Sequence, residues 1–220
     1  MPILIPFASL HAMPWKNGGG STTEIIVSPP GAALDTFDWR ISMATIASDG
    51  PFSIFAGIDR TLSLVSGQGV DLHIDRSAAE KSTVSLRAAS PTLGFPGEWS
   101  IHATLPAGVT QDFNVMTRRS ACRHEFARLS DCSQYTRKAA TTLLFLVSAA
   151  PVQWRSASAT FSLQQYDSVL LQENDAPACE WQTSKVPDLQ QGAQAGAAAQ
   201  RQANAPVVHE WFVVELFKGT

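Results

Sequence analysis

What most constrains the fold of this chain is a two-residue alternation of side-chain type. From Phe37 to Ala47 the run FDWRISMATIA sends Trp39, Ile41, Met43 and Thr45 to one side of an extended segment and Arg40, Ser42, Ala44 and Ile46 to the other. Short runs of the same kind recur: RTLSLVSG, VDLHID, STVSLRA, SIHATL, FNVMTRR, TTLLFLVS, ATFSLQQY, SVLLQE and VVHEWFVVELF. Turn-forming residues separate them, among them Asp49-Gly50-Pro51, Ser66-Gly67, Pro96-Gly97 and Pro106-Ala107-Gly108. Many short strands at this spacing predict an all-β barrel or sandwich.

With 220 residues, 45% of them hydrophobic, the chain can bury a core as one large domain or two small ones. Only 16% are charged, against roughly 25% in an average soluble domain, which excludes disorder as its general state. Sixteen Lys and Arg against nineteen Asp and Glu leave a net charge of -3, so no broad positive field exists to hold nucleic acid. The longest apolar run, Thr141 to Ala150, is far short of the roughly 20 residues that cross a bilayer, so no membrane partner is expected. The opening MPILIPFASLHAMPWK has neither a basic start nor a small-residue cleavage pattern, and reads as a first strand of a cytoplasmic protein. Cys122, Cys132 and Cys179 are odd in number and too few for a disulfide framework, in keeping with a reducing compartment.

The texture of the chain changes near Arg119. Before it, turns are rich in Gly and Pro and polar residues interrupt the strands; after it, strands are plainer. We therefore expect an N-terminal β half over 1–119 that carries the chemistry and a C-terminal β half over 120–220. After Leu189, residues 190–205 are Ala, Gln and Gly apart from Asn204 and one charge, Arg201. Lacking an apolar face to bury, they are expected to form a mobile surface loop before the last strand.

Four stretches offer chemistry. Pro14-Trp15-Lys16-Asn17-Gly18-Gly19-Gly20 holds three consecutive glycines, whose entropic cost is tolerated where the backbone turns sharply or approaches something closely. It is a tight turn into a strand, or a turn that sets Trp15 and Asn17 as one wall of a ligand pocket; the G-x-x-x-x-G-K-S/T spacing of a phosphate loop is absent. Arg40 and Ser42 share a strand face with small Ala44, an arrangement suited to a carboxylate or, equally, to a solvated polar face. Phe52, Ser53, Phe55 and Arg60 then concentrate aromatic, hydroxyl and guanidinium groups; Arg60 contacts a ligand or pairs with Asp49 or Asp59. Asp112, Asn114 and Met116 share one strand face and read as a buried hydrogen-bonding network more than as a ligand wall.

Metal and nucleophile signals are weak. His73 and Asp75, with Glu80 and His102 beyond, lack the paired histidines of a metal-binding β-barrel, and Cys122 with His124 and Cys132 makes a poor zinc set. No G-x-S-x-G or H-E-x-x-H occurs. We expect no metal, no cofactor and no catalytic residue.

The motifs in combination are distinctive. Pro-Trp-Lys-Asn-Gly-Gly-Gly-x-Thr-x-Glu-Ile from Pro14, Phe-x-Trp-Arg-x-Ser-x-Ala from Phe37, Asp-Gly-Pro-Phe-Ser-x-Phe from Asp49, Gly-x-Asp-Arg from Gly57, Phe-x-Gly-Glu from Phe95 and Asp-Phe-Asn-Val-Met-x-Arg-Arg from Asp112 resemble the HutD/Ves family over residues 14–119. The resemblance implies a bicupin, two cupin-like β-barrels in one chain, without the metal ligands of catalytic cupins. It also implies association with bacterial histidine utilisation, as a non-catalytic modulator binding a small anionic metabolite such as urocanate, formylglutamate or formiminoglutamate. Trp15, Asn17, Arg40, Ser42, Phe52, Ser53, Phe55 and Arg60 are the ligand-binding residues this reading selects. The competing reading is a metal-independent isomerase or hydrolase on a related acid, with Asp49, Asp112 or Glu98 moving the proton. Free sheet edges also allow a homodimer.

Overall fold

A computed structural model describes residues 1–77, 80–88, 90–130, 132–183 and 209–219; the Ala/Gln-rich segment 189–205 lies outside them. The fold is all-β, with one short 3-10 turn (Phe7–Ser9) and no α-helix among the described residues. Residues Ala8–Phe126 with Leu216–Thr220 form one compact unit, and Met1–Phe7 with Ala127–Glu215 form the other. The division falls after Phe126 and exchanges the two terminal segments.

The strands, in chain order, are β1 (Ile3–Ile5), β2 (Ala12–Pro14), β3 (Gly20–Ser28), β4 (Trp39–Ile46), β5 (Gly50–Pro51), β6 (Ile58–Ser66) and β7 (Val70–Ser77). Next come β8 (Glu80–Leu86), β9 (Leu93–Pro96), β10 (Ser100–Thr104), β11 (Thr110–Arg118), β12 (Cys122–Leu129) and β13 (Gln134–Thr136). The last six are β14 (Thr141–Leu146), β15 (Val152–Ser156), β16 (Thr160–Leu163), β17 (Ser168–Leu171), β18 (Ala178–Thr183) and β19 (Trp211–Lys218).

In the larger unit a six-stranded sheet runs β2-β3-β4-β11-β6-β9 and a four-stranded sheet runs β5-β10-β7-β8. Alternation decides what lies between them. The four-stranded sheet turns Val70, Leu72, Ile74, Leu86, Ile101 and Ala103 inward, where they pack with Ile46, Leu62 and Phe95 of the six-stranded sheet. A second cluster, Val27, Phe37, Ile58 and Met116, lies at the other end of the same strands. Fully buried side chains of this kind each stabilise the fold by about 1.5–3 kcal/mol.

The glycine run makes the turn into β3. Gly18 has a φ of +72°, Gly18 donates to the Trp15 carbonyl at 3.0 Å and Trp15 donates back to that of Gly20 at 2.9 Å. Gly20 meets a different demand. A Cβ there would lie 2.2 Å from the Thr45 carbonyl oxygen and 3.0 Å from the Trp15 ring, so only glycine lets β3, β4 and the indole meet.

The smaller unit contains a four-stranded sheet β13-β18-β15-β16, and the five-stranded sheet β1-β17-β14-β19-β12 holds its remaining strands. Its interior is apolar and dominated by tryptophan. Trp154 and Trp181 are cross-strand partners, Trp181 and Trp211 ring centres are 4.7 Å apart, and Trp154 stacks on Phe161 at 5.5 Å. Glu215, a carboxylate buried within it, accepts four hydrogen bonds: from Tyr135 Oη at 2.7 Å, the Lys138 and Ala139 amides at 2.9 and 2.8 Å, and Thr142 Oγ1 at 2.6 Å. It is a structural group with its acceptor capacity in use.

Candidate functional site

The larger unit differs in burying arginine side chains among the described residues. Antiparallel pairing aligns three rows across the inner face of the six-stranded sheet. One row runs Arg40, Met116, Arg60, Phe95; the next Glu24, Ser42, Asn114, Leu62; the third Thr22, Ala44, Asp112, Leu64. This polar belt lies between the two apolar clusters. Arg40 is 6% exposed, Arg60 7% and Asp112 2%, and a charge so far from water needs a partner or a purpose.

The two arginines are held differently. Arg40 Nε donates to Glu24 Oε2 at 2.7 Å, and its Nη1 reaches Ser42 Oγ at 3.4 Å. This is a charge-assisted pair with one partly exposed member. Arg60 has no carboxylate within ion-pair distance among the described residues. Its Nε donates to Asn114 Oδ1 at 3.4 Å and its Nη1 to the Ser53 carbonyl at 3.5 Å, both long. Three aromatic rings surround it instead: Phe95 at 5.1 Å, Phe52 at 5.4 Å and Phe55 at 5.6 Å. A guanidinium carries five N–H donors, so most of this one's capacity is unused.

Burial drives Arg60 down to about 10, opposed by the attraction of Asp112 and assisted by repulsion from Arg40; it remains cationic at neutral pH. Burial pushes the Asp112 carboxyl up to about 7 against the pull of Arg60. Asp112 Oδ1 is buried with no hydrogen-bond partner. The belt thus holds two cations, one paired carboxylate and one carboxyl balanced near neutrality. Such a set, with two guanidinium groups, favours an anion over a divalent cation. Among the described residues no group of three or more His, Cys, Asp or Glu is placed to hold one.

The residues singled out from the sequence separate. Arg40, Ser42 and Arg60 share the inner face, with the half-buried Phe52 and Phe55 rings over Arg60. Trp15 is half-buried against the apolar cluster that includes Ile46 and Leu62, and its indole donates to Thr22 Oγ1 at 2.8 Å. Asn17 is exposed, and its Oδ1 accepts the Gly19 amide at 3.0 Å. Ser53 offers Arg60 its carbonyl, while its side chain belongs to an exposed residue.

Arg60 pairs with neither Asp49 nor Asp59, contrary to one of the two expectations. Asp59 lies one residue along β6, hence on the opposite face, and binds Arg119 at 2.6 Å. Asp49 Oδ1 accepts the Leu105 amide at 2.8 Å. Glu98 also turns away, accepting the Gly57 amide at 2.6 Å and pairing with Arg119. Of the three candidate proton carriers only Asp112 is in the belt. His73 and His102 are opposite one another on the exposed face of their sheet, with both ring nitrogens of His73 bonded to Thr83 and Thr104. Phe95 and Glu24 join the site although only the resemblance motifs contained them; each reaches it by strand pairing, which local sequence does not encode.

Comparison with known proteins agrees with this architecture. The HutD family model matches residues 8–186. An uncharacterised 21.2 kDa protein in the hutC 3′ region of Pseudomonas putida is 33% identical over 165 residues, covering 74% of this chain and 83% of its own. Protein Ves of Citrobacter koseri is 36% identical over 137 residues, covering 62% and 68%. Among solved structures, HutD from Pseudomonas fluorescens SBW25 superposes with a TM-score of 0.76 at 23% identity over 100% of both chains. The oxalate decarboxylase of Lactobacillus farciminis matches with a TM-score of 0.59 at 8% identity, covering 99% of this chain and 86% of its own, a likeness of cupin fold alone. No helix among the described residues is long and apolar enough to cross a membrane.

Proposed function

Because the chain belongs to the HutD family, we propose that it is a cytoplasmic binding protein for a small carboxylate of histidine utilisation, modulating that pathway without turning the ligand over. The place of the Pseudomonas putida relative in the hutC 3′ region supports the pathway. One observation carries the ligand class: Arg60, buried and cationic, has unused donors, no carboxylate at ion-pair distance among the described residues and three aromatic rings around it. A ligand carboxylate would supply the strong partner that Arg60 lacks, and the rings would cover a planar or aliphatic body. Arg40, held by Glu24, assists from two strands away.

Isothermal titration of urocanate, N-formylglutamate and formiminoglutamate tests this. Wild type should bind at least one saturably, and Arg60→Met should weaken that binding about 10- to 100-fold, the loss of a charged hydrogen-bonding partner. Unchanged affinity in Arg60→Met would remove the anion from this belt. The unpartnered Asp112 carboxyl favours one competing reading, a metal-independent isomerase or hydrolase. Consumption of any of the three acids by wild type, lost in Asp112→Asn, would replace binding by catalysis.

A further inference from the structure

We infer that Asp112 reads the far end of the bound acid, meeting it as a neutral carboxylic acid that donates a hydrogen bond to a second carboxylate or carbonyl oxygen. This rests on the binding reading above and gives the ligand a second requirement: two oxygen-bearing ends, one for Arg60 and one for Asp112.

The placement is the first support. Asp112 is 2% exposed and is two residues along β11 from Asn114, on the face that carries Arg40 and Arg60. Its lateral neighbours in the sheet are Ala44 and Leu64. A small side chain on one side and an apolar one on the other leave Oδ1 with nothing to bond. A buried oxygen without a partner is unfavourable, and a polar group of a ligand would relieve it. The charged groups of its own sheet on this face are Arg40, Arg60 and Glu24, and Glu24 is already spoken for by Arg40. From the facing sheet β7, β8 and β10 present Val70, Leu72, Ile74, Leu86, Ile101 and Ala103, none of which ionises.

The second support is the kind of hydrogen bond the site needs. Both arginines are donors only, and a ligand drawn in by them is an anion rich in acceptors. An ionised Asp112 would repel such a ligand; a protonated one would complete its binding. Burial already brings the carboxyl to the edge of protonation near pH 7, and an approaching anion shifts it further the same way.

Titration calorimetry with glutarate, which has two acid ends, and butyrate, which has one, tests the assignment. Glutarate should bind wild type at least tenfold more tightly than butyrate at pH 6. At pH 8, measured in buffers of different ionisation enthalpy, its binding should take up about one proton, and its affinity should fall about tenfold per pH unit above 7. Asp112→Asn, whose amide can still donate, should keep glutarate binding but lose both the proton uptake and that decline. Equal affinity for the two acids, or no proton uptake by wild type at pH 8, would overturn this inference and leave the binding reading standing. Failure of wild type to bind either acid, while it binds one of the three pathway acids, would overturn this inference alone; binding of none of the five would overturn both. Should Asp112→Asn not fold, the wild-type proton count alone decides.

Discussion

Arg60 and Asp112 are buried ionisable groups with no ion pair among the described residues, and the fold would be easier to stabilise without them. Replacing buried charge by a well-packed apolar side chain is often neutral or stabilising by about 1–4 kcal/mol. Arg60→Met should therefore unfold at the same or a higher urea concentration than wild type even as it loses acid binding; a large loss of stability would mark Arg60 as a structural residue. Asp112 and His124 should tilt the pH dependence of stability in opposite directions. Asp112 holds its proton up to about pH 7 in the folded state but only to about 4 when unfolded. The folded state then binds more protons in this window, and stability falls as pH rises from about 4 to 7. His124, half-buried between Thr61 and Thr117, is depressed by desolvation to about 4. Its contribution is lost as pH falls from about 6.5 toward 4. Relative to wild type, Asp112→Asn should gain stability between pH 5 and pH 8, and His124→Gln should gain it between pH 8 and pH 5, read from urea midpoints. Alternation in the sequence was enough to place Arg40 with Ser42 and Asp112 with Asn114 on common faces. It could not tell that these faces meet, because the pairing of β4 with β11 and of β11 with β6 joins residues far apart in the chain.

At the level of elements, the turn before β3 is the tightest constraint. Gly20→Ala would press a methyl group against the Thr45 carbonyl and the Trp15 ring, and a backbone oxygen cannot step aside as a flexible side chain can. We expect a loss of about 1–3 kcal/mol in thermal or urea unfolding, the usual range for overpacking. Gly18→Ala tests backbone conformation instead, since a φ of +72° disfavours any side chain although nothing lies within 4 Å of its Cβ position. The longer strands were legible because period-two patterns survive over eight or nine residues. β5 and β9 were not, because the two residues of β5 carry no periodicity and Leu-Gly-Phe-Pro in β9 does not alternate apolar with polar side chains. Yet β9 supplies Phe95 to the ring of aromatics on Arg60, and the segment after β5 supplies Phe52 and Phe55. Of these three rings, Phe52 and Phe55 were singled out in the sequence, whereas Phe95 stood only within a resemblance motif.

Across the whole molecule the two units divide their labour by what fills them. One interior holds guanidinium, carboxyl and amide groups; the other holds three tryptophans and a fully satisfied glutamate. Trp154→Ala should cost about 3–5 kcal/mol of stability while leaving glutarate affinity unchanged at temperatures where the variant is folded. A parallel loss of affinity would show that the belt depends on that core. A change of texture near Arg119 signalled two β halves, since polar residues inside strands need a reason and apolar ones do not. The exchange of terminal segments left no such trace, because a strand of Ile, Leu and Ile carries no mark of its distant partner. Ile3, Leu4 and Ile5 align with Leu170, Val169 and Ser168. During synthesis on the ribosome this first strand emerges long before the segment it must lie against, and it stays a sticky apolar edge until Ser168–Leu171 has been made. A transcript cut short between them would yield a fragment with an orphaned edge of this kind, prone to clump with its own copies.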